Sequence, residues 1–283
     1  MHYLRRGPAP GPGDPTLVFL HGAGTSLLDA VPALLPALAA RFDVVAVDRP
    51  GHGYSERGDA SPVSGWVDPA VQARRVADAL DALGVERAVW IGHSWAGSVV
   101  LAALAGLDAS EADAGVVIAG TLYPWPDPPP WHRTLGATPV AGALFARSAV
   151  VPAGRRLLPA ALERAFAPEP VPEGYARATG LALSLRPHAF RHDAVDRTRL
   201  SGWLEGASPG WAGIDRPILS IAAGRDAAVP PARHADRLER ERPATRTVVL
   251  PEAGHGLLQT RTGRVAAEVG RFVDGLGTSD GSD

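Results

Sequence analysis

Short apolar runs bounded by turn residues recur along the 283-residue chain and alternate with segments of helix length. The run Thr16–Leu20 follows Gly11-Pro12-Gly13-Asp14-Pro15, which is typical of a buried strand after a turn. The segment Pro69–Leu83 opens with proline and ends at Gly84, as helices often do. The predicted strands are Tyr3–Arg6, Thr16–Leu20, Phe42–Val47, Ala88–Ile91, Val116–Ala119, Pro217–Ala222 and Thr245–Leu250, and the predicted helices are Leu27–Ala40, Pro69–Leu83, Trp95–Ala105, Pro231–Arg240 and Val265–Val273.

This alternation predicts an α/β fold with a mostly parallel sheet and helices on both faces. Only one short strand, Tyr3–Arg6, precedes the first buried strand. We therefore expect the antiparallel part at the start of the sheet to be short. Residues 122–213 carry no strand signal and form too long a stretch for a loop. We expect a core of residues 1–121 and 214–274, a helical cap of residues 122–213 over the carboxyl ends of the strands, and a disordered tail of residues 275–283.

Composition narrows the classes of function. The chain is 46% hydrophobic and 20% charged, as in a globular domain, and its net charge of -2 gives no broad positive field for nucleic acid or anionic lipid. The absence of cysteine excludes thiol nucleophiles and thiolate metal sites. No secretion signal and no apolar run of about 20 residues is recognisable. We expect a cytoplasmic protein without nucleic-acid or membrane partners, whose oligomeric state stays open.

A candidate nucleophile lies between a predicted strand and a predicted helix. The segment Gly92-His93-Ser94-Trp95-Ala96-Gly97 directly follows the strand Ala88–Ile91 and is similar to the G-x-S-x-G nucleophile elbow. Small neighbours matter because the serine of such an elbow occupies a strained turn. Ser94 is the predicted nucleophile, and the alternative is a glycine-rich turn with a serine that has no chemical role.

A second candidate loop, His21-Gly22-Ala23-Gly24, follows the strand Thr16–Leu20. It resembles the His-Gly-x-x loops of esterases and related hydrolases. The resemblance implies that the backbone N–H groups of Ala23 and Trp95 point at a developing oxyanion and that His21 is structural. The alternative is an ordinary turn between a strand and a helix.

The candidate acid and base also follow predicted strands, at the same sheet edge as Ser94. Asp226 and His255 are 255 − 226 = 29 residues apart, which leaves room for one helix and one strand. The chain order Ser, Asp, His is the order found in the α/β-hydrolase fold. We predict His255 as general base and Asp226 as the acid that orients it. Asp127, in a proline run, and Asp215, ahead of its strand at the opposite edge, are the alternative acids.

From Tyr3 to Val273 the chain resembles the capped α/β-hydrolase superfamily. Asp48-Arg49-Pro50-Gly51-His52-Gly53-Tyr54-Ser55 is similar to the Asp-x-x-Gly-x-Gly-x-Ser turn of many members, a turn that is usually structural. The resemblance implies a serine hydrolase that needs no metal and no cofactor, and that cleaves a carboxylic ester, lactone or thioester through an acyl-enzyme. Members resembling epoxide hydrolases and haloalkane dehalogenases carry aspartate at the elbow, whereas this chain carries serine, which disfavours both activities.

Three alternatives stay open. Carbon-carbon bond hydrolases of the superfamily commonly have tryptophan after the catalytic histidine, where this chain has Gly256. A cofactor-free perhydrolase or haloperoxidase uses the same triad with peroxide. A ligand-binding protein of the same fold retains the pocket without turnover, although an intact triad argues against it.

Four of the seven tryptophans lie in or beside the predicted cap. We expect at least one to line an apolar pocket, so that the partner is a small apolar molecule with a short, medium-length or aryl acyl group. The alternative for each is ordinary packing of the cap. The four residues are Trp125, Trp131, Trp203 and Trp211.

Overall fold

The computed structural model describes residues 1–57 and 68–276, and within these ranges seven strands form one sheet. The strand order is β1-β3-β2-β4-β5-β6-β7, with β1 antiparallel to β3 and all other neighbours parallel. The predicted mostly parallel sheet with a short antiparallel start is confirmed. The strands are β1 (Tyr3–Arg6), β2 (Thr16–Leu20), β3 (Val44–Val47), β4 (Ala88–His93), β5 (Ala114–Ile118), β6 (Ile218–Ala223) and β7 (Arg246–Leu250).

Helices cover both faces of this sheet, as predicted. The α-helices are α1 (Leu34–Ala39), α2 (Pro69–Asp81), α3 (Gly97–Gly106), α4 (Trp131–Ala137), α5 (Val140–Phe145), α6 (Val151–Phe166), α7 (Tyr175–Ala178), α8 (Pro187–Ala207), α9 (Ala235–Glu241), α10 (Leu257–Thr260) and α11 (Thr262–Leu276). Leu17 and Phe19 of β2 pack in one apolar cluster with α1 and α11. Val18 and Leu20 pack in a second cluster with α2 and α3, because successive side chains of a strand point to opposite faces.

Two predicted helices begin or divide differently in the structure. The predicted helix Leu27–Ala40 separates into a 3-10 turn, Leu27–Asp29, and the short α1. Pro32 explains the division, because proline lacks an N–H group and disfavours helical geometry at the residue before it. The helix predicted from Pro231 begins only at Ala235, after a turn that contains two consecutive prolines.

Every regular element between β5 and β6 is helical, and we call residues 131–213 the insert. Besides α4 to α8 it contains a π-helical turn, Ala146–Val150, and 3-10 turns at Leu181–Leu185 and Ser208–Gly213. Leu200 and Leu204 of α8 join the cluster on the α2–α3 face of the sheet, so the insert packs directly on the core.

The carboxyl-terminal helix is longer than the sequence predicts. It continues through Gly275 and Leu276, so these two residues are helical rather than part of a disordered tail. The remaining residues of the predicted tail, 277–283, lie outside the described residues. Within the described ranges, no single helix has both the length and the apolar character to cross a membrane, and α4 with Val140–Phe166 meets that test only as a pair bent by 110°.

Candidate active site

Ser94 lies at a sharp turn between β4 and a 3-10 turn, Ser94–Ala96, that leads into α3. Its φ of 55° is in the left-handed region, which costs energy for any residue other than glycine. A Cβ atom on Gly92 would lie 2.5 Å from the Ala96 carbonyl oxygen, so the turn requires glycine there. The position two residues after the serine is Ala96, and the glycine follows at position 97. The chain therefore carries a G-x-S-x-A-G variant of the elbow pattern.

A continuous chain of hydrogen bonds links this serine to the predicted base and acid. His255 Nε2 lies 2.9 Å from Ser94 Oγ, and His255 Nδ1 lies 2.7 Å from Asp226 Oδ2. Asp226 is buried, and its Oδ1 accepts the backbone N–H groups of Ala228 and Val229 at 2.8 and 2.7 Å. These bonds fix the direction of the carboxylate. The geometry suits proton transfer from the serine to the histidine, with the carboxylate fixing the tautomer and orientation of the ring.

The two alternative acids lie elsewhere. Asp127 and Asp215 are exposed to solvent, and Asp215 lies ahead of β6 rather than after it. The structure thus brings Asp226 to His255, at hydrogen-bond distance.

The loop after β2 lies against the serine. A Cβ atom on Gly22 would lie only 3.0 Å from Ser94 Cβ, so the backbone that leads to Ala23 borders the nucleophile. Trp95 belongs to the first turn of the helical segment that runs to Gly106, where N–H groups have no acceptor within the helix. The two N–H groups expected to bind an oxyanion are therefore on segments that flank Ser94.

His21 is structural in this arrangement. Its Nε2 accepts the backbone N–H of Arg49 at 3.0 Å, and its Nδ1–H donates to the Gly22 carbonyl at 2.8 Å. Burial, followed by the nearby Arg49 guanidinium, lowers the pKa of His21 well below 6.5. The ring is consequently neutral, and its two hydrogen bonds connect the loop after β2 to the backbone of Arg49.

Contacts that sequence reasoning missed hold the His255 loop in place. His93 Nε2 lies 3.3 Å from the His255 carbonyl oxygen, and Glu169 accepts the Gly254 N–H at 3.1 Å. Glu169 also accepts the hydroxyl hydrogen of Thr260 at 2.8 Å. Glu169 belongs to the insert, 85 residues before Gly254, so no local pattern could have indicated it.

A buried carboxyl group, Asp29, lies next to His93. It accepts hydrogen bonds from the Tyr175 hydroxyl at 2.7 Å and the Gln259 side-chain amide at 2.9 Å, and its Oδ2 is 3.8 Å from His93 Nδ1. Burial raises the pKa of Asp29. Burial also lowers the pKa of His93 to about 3, so the His93 ring is neutral near pH 7.

The four tryptophans near the insert have different environments. Trp211 is 2% exposed in the core, and its indole N–H donates to a backbone carbonyl at 2.9 Å. Trp211 packs in the core cluster on the α2–α3 face of the sheet, which is the alternative of ordinary packing given for it above. Trp203 packs beside it at 6.0 Å between ring centroids, and Trp131 is 71% exposed on the surface. Trp125 is half-buried with its ring 5.0 Å from that of His234, and its role in the pocket stays a prediction.

Comparison with known proteins agrees with the fold. The model of the alpha/beta hydrolase family matches residues 17–268. Haloalkane dehalogenase 2 of Mycobacterium tuberculosis is 27% identical, over 95% of this chain and 90% of that protein. An esterase from Rhodococcus sp. ECU1013 is 25% identical with a TM-score of 0.70, covering 97% of this chain and 94% of its own. An enol-lactonase from Burkholderia xenovorans LB400, 24% identical with a TM-score of 0.69 over 96% of both chains, shares the fold.

The family match covers most of the chain, and the seven-stranded sheet agrees with it. The chain belongs to the alpha/beta hydrolase family.

Proposed function

We propose that this protein is a serine hydrolase that cleaves a carboxylic ester, lactone or thioester of a small to medium apolar substrate through an acyl-enzyme. The observation that carries the proposal is the unbroken hydrogen-bond chain from Ser94 Oγ through His255 to Asp226, with lengths of 2.9 and 2.7 Å. Family membership supports hydrolysis in general, and the identity of the nucleophile supports the acyl-transfer chemistry.

The reaction follows from the positions of these groups. Ser94 Oγ attacks the acyl carbon while His255 Nε2 takes its proton, and Asp226 stabilises the imidazolium that forms. The oxygen of the tetrahedral intermediate binds the N–H groups of Ala23 and Trp95, each of which contributes about 3 kcal/mol. His255 then protonates the departing alcohol or thiol. Water attacks the acyl-enzyme with His255 again as base, which releases the acid and restores the serine.

The nature of the covalent adduct favours acyl substrates over alkyl halides and epoxides. Attack of a serine on an alkyl carbon would give an ether, which has no carbonyl carbon for water to attack. Attack on an acyl carbon gives an ester, which the same histidine and the same N–H groups can hydrolyse. The relative named as a haloalkane dehalogenase therefore shares the family, and its reaction is not proposed for this chain.

Turnover of p-nitrophenyl butyrate, combined with labelling by a fluorophosphonate, tests the proposal. We expect wild-type protein to turn over the ester and to be labelled at Ser94, and Ser94→Ala to lose both, with kcat lower by a factor on the order of 10⁶. Ser98→Ala is the matched control, because Ser98 is a buried serine one helical turn later whose hydroxyl donates to the Thr121 carbonyl. It should keep both properties. Labelling at another residue, or full turnover by Ser94→Ala, would contradict the proposal, and wild-type protein that binds the ester without turnover would indicate a binding protein.

A further inference from the structure

Arg49, in the turn after β3, is a fully buried charge that contacts both segments flanking Ser94. Its side chain is 0% exposed. Its Nε donates to the His21 carbonyl at 3.0 Å, and its Nη2 donates to the Gly22 carbonyl at 3.3 Å. Its guanidinium carbon also lies 4.2 Å from the ring centroid of Trp95. One side chain thus joins the loop after β2 to the residue that follows the nucleophile.

The bond to Gly22 bears directly on the expected oxyanion donor. The Gly22 carbonyl and the Ala23 N–H belong to one planar peptide group, so fixing the carbonyl oxygen fixes the direction of the N–H. This carbonyl also accepts hydrogen bonds from His21 at 2.8 Å and from the Thr25 hydroxyl at 3.2 Å. Arg49 is therefore one of three donors that orient this peptide, and the one that also contacts Trp95.

The insert holds Arg49 from the opposite side. Asp196, on α8, accepts from Arg49 Nη1 at 3.1 Å and pairs with Arg57 at 2.5 Å, and Gln72 accepts from the same Nη1 at 3.0 Å. All of these side chains are buried. A buried ion pair contributes little net stability once the cost of desolvation is included, so stability alone is a weak reason for so many buried charges.

We propose that Arg49 is a positioning residue that sets the two oxyanion-binding N–H groups, of Ala23 and Trp95, relative to each other, and that Asp196 of the insert holds Arg49 in place. The proposal rests on the serine-hydrolase function proposed above. It assigns a role to the turn Asp48-Arg49-Pro50-Gly51 beyond its backbone structure. Arg49 makes no contact with the reacting atoms and acts through the two loops.

The test compares Arg49→Met and Arg49→Lys with a buried arginine outside the site. Arg242 is 6% exposed and also donates to backbone carbonyls, those of Ile214 and Arg216, each at 2.7 Å, so Arg242→Met is the matched control. For each variant, kcat and KM for p-nitrophenyl butyrate are measured per site titrated with the fluorophosphonate. Inhibition by a trifluoromethyl ketone is compared with inhibition by the matching methyl ketone. Ser94 Oγ bonds to the carbonyl carbon of the trifluoromethyl ketone, and the proton of Ser94 passes to His255. The former carbonyl oxygen of the inhibitor then carries the negative charge and is the oxyanion.

For Arg49→Met we expect kcat to fall about 10- to 100-fold, less than the loss of a whole oxyanion donor because two other groups still hold the Gly22 carbonyl. KM should change by less than about threefold, and affinity for the trifluoromethyl ketone should fall by the same factor as kcat. Affinity for the methyl ketone should stay constant. Arg49→Lys should behave like Arg49→Met, because an ammonium group lacks the planar fork that reaches two carbonyls and stacks on a ring. Arg242→Met should keep the wild-type values per titrated site.

Unchanged kcat and ketone affinity in Arg49→Met would overturn the proposal, as would an equal loss in Arg242→Met or full activity in Arg49→Lys. If Arg49→Met does not fold, Asp196→Asn replaces it, with the same expected fall in kcat at constant KM. Wild-type kcat in Asp196→Asn would refute the link to the insert. Failure of the underlying function is distinguishable, because it would appear as absent labelling and turnover in the wild-type protein.

Discussion

Acidification from pH 7 to pH 5 should lower the free energy of unfolding by about 2 kcal/mol less when His234 is replaced with asparagine. His234 is 1% exposed, and its Nδ1 accepts the backbone N–H groups of Leu122 and Tyr123 at 3.1 and 3.3 Å. Burial, together with the nearby Arg233, lowers the pKa of His234 from 6.5 to about 3. The ring is therefore neutral in the folded protein throughout the range in which the unfolded chain becomes protonated.

The magnitude follows from the difference in bound protons. Below pH 6.5 the unfolded chain binds a proton at His234 that the folded chain does not bind, so the free energy of unfolding falls by about 1.4 kcal/mol per pH unit. The contribution of His234 to the free energy of unfolding is fully present above the pKa that His234 has in the unfolded chain. It is lost as the pH falls toward the pKa that His234 has in the folded protein. The loss is small at pH 7 and amounts to about 2 kcal/mol at pH 5. Because the folded pKa lies well below 5, the loss at pH 5 depends on the unfolded value alone.

Other histidines should act in the same direction. Burial lowers the pKa of His93 to about 3 and that of the half-buried His192 to about 4, and it lowers the pKa of His21 and of His52 well below 6.5. His93, His192 and His234 alone should cost about 6 kcal/mol at pH 5, comparable with the 5–15 kcal/mol by which typical domains are stable. Burial raises the pKa of Asp29 and of Asp196, and these groups act in the opposite direction above pH 3.8. Their effect is common to the wild type and a histidine variant, and so it cancels in a comparison of the two.

Urea unfolding at pH 7 and at pH 5 measures this effect. The difference in free energy of unfolding between the two pH values should be about 2 kcal/mol smaller in His234→Asn than in wild type. Asparagine suits the site because its Oδ1 can accept the same N–H groups and does not titrate. His188→Asn is the control, since His188 is exposed; partial burial and then Arg186 lower its pKa, but less than burial lowers that of His234, so it should change the difference less. An unchanged difference in His234→Asn would refute the reasoning.

Further predictions concern activity. Gly256→Ala places a Cβ atom 2.4 Å from the Phe166 ring, so it should displace the adjoining His255 and lower kcat about 10²-fold, and Phe166→Ala should restore much of that loss in steady-state kinetics. Asp226→Asn should lower kcat about 10⁴-fold by favouring the wrong histidine tautomer, whereas Asp127→Asn should leave it unchanged, and the reverse result would show the acid assignment to be wrong. Esters of short and medium acyl chains should be hydrolysed faster than palmitoyl esters, and equal rates on acetyl and palmitoyl esters would count against an apolar pocket of limited size.

The parts of the fold that the sequence predicted are those determined by local pattern. The strand Thr16–Leu20 has the same bounds in the structure as in the prediction. A strand buried on both faces consists of consecutive, mostly apolar residues, which the sequence shows directly. Ser94, Asp226 and His255 were predicted because each follows a predicted strand, and parallel strands all end at one edge of the sheet, where the structure brings the three side chains together. Where local signals conflicted, as at Pro32 inside an apolar helix pattern, the predicted boundaries were wrong.

The contacts that support the site could not be predicted from the same patterns. Arg49 and Asp196 are 147 residues apart, and Asp29 and Tyr175 are 146 apart. Each of these residues has a polar side chain, and polar side chains are more often exposed than buried. Their burial is a property of the packed insert, and only tertiary structure reveals that one charge is close enough to compensate another.

These long-range contacts limit what family membership can say about the substrate. The motifs that identify the family lie on the core, at the ends of strands. The insert contacts the turn after β3, through Asp196 and Arg49, and the loop that carries His255, through Glu169 and Gly254. A substitution in the insert can therefore alter the alignment of the site while every core motif stays intact. Because catalysis depends on that alignment, a relative with the same core and a different insert is a poor guide to the substrate.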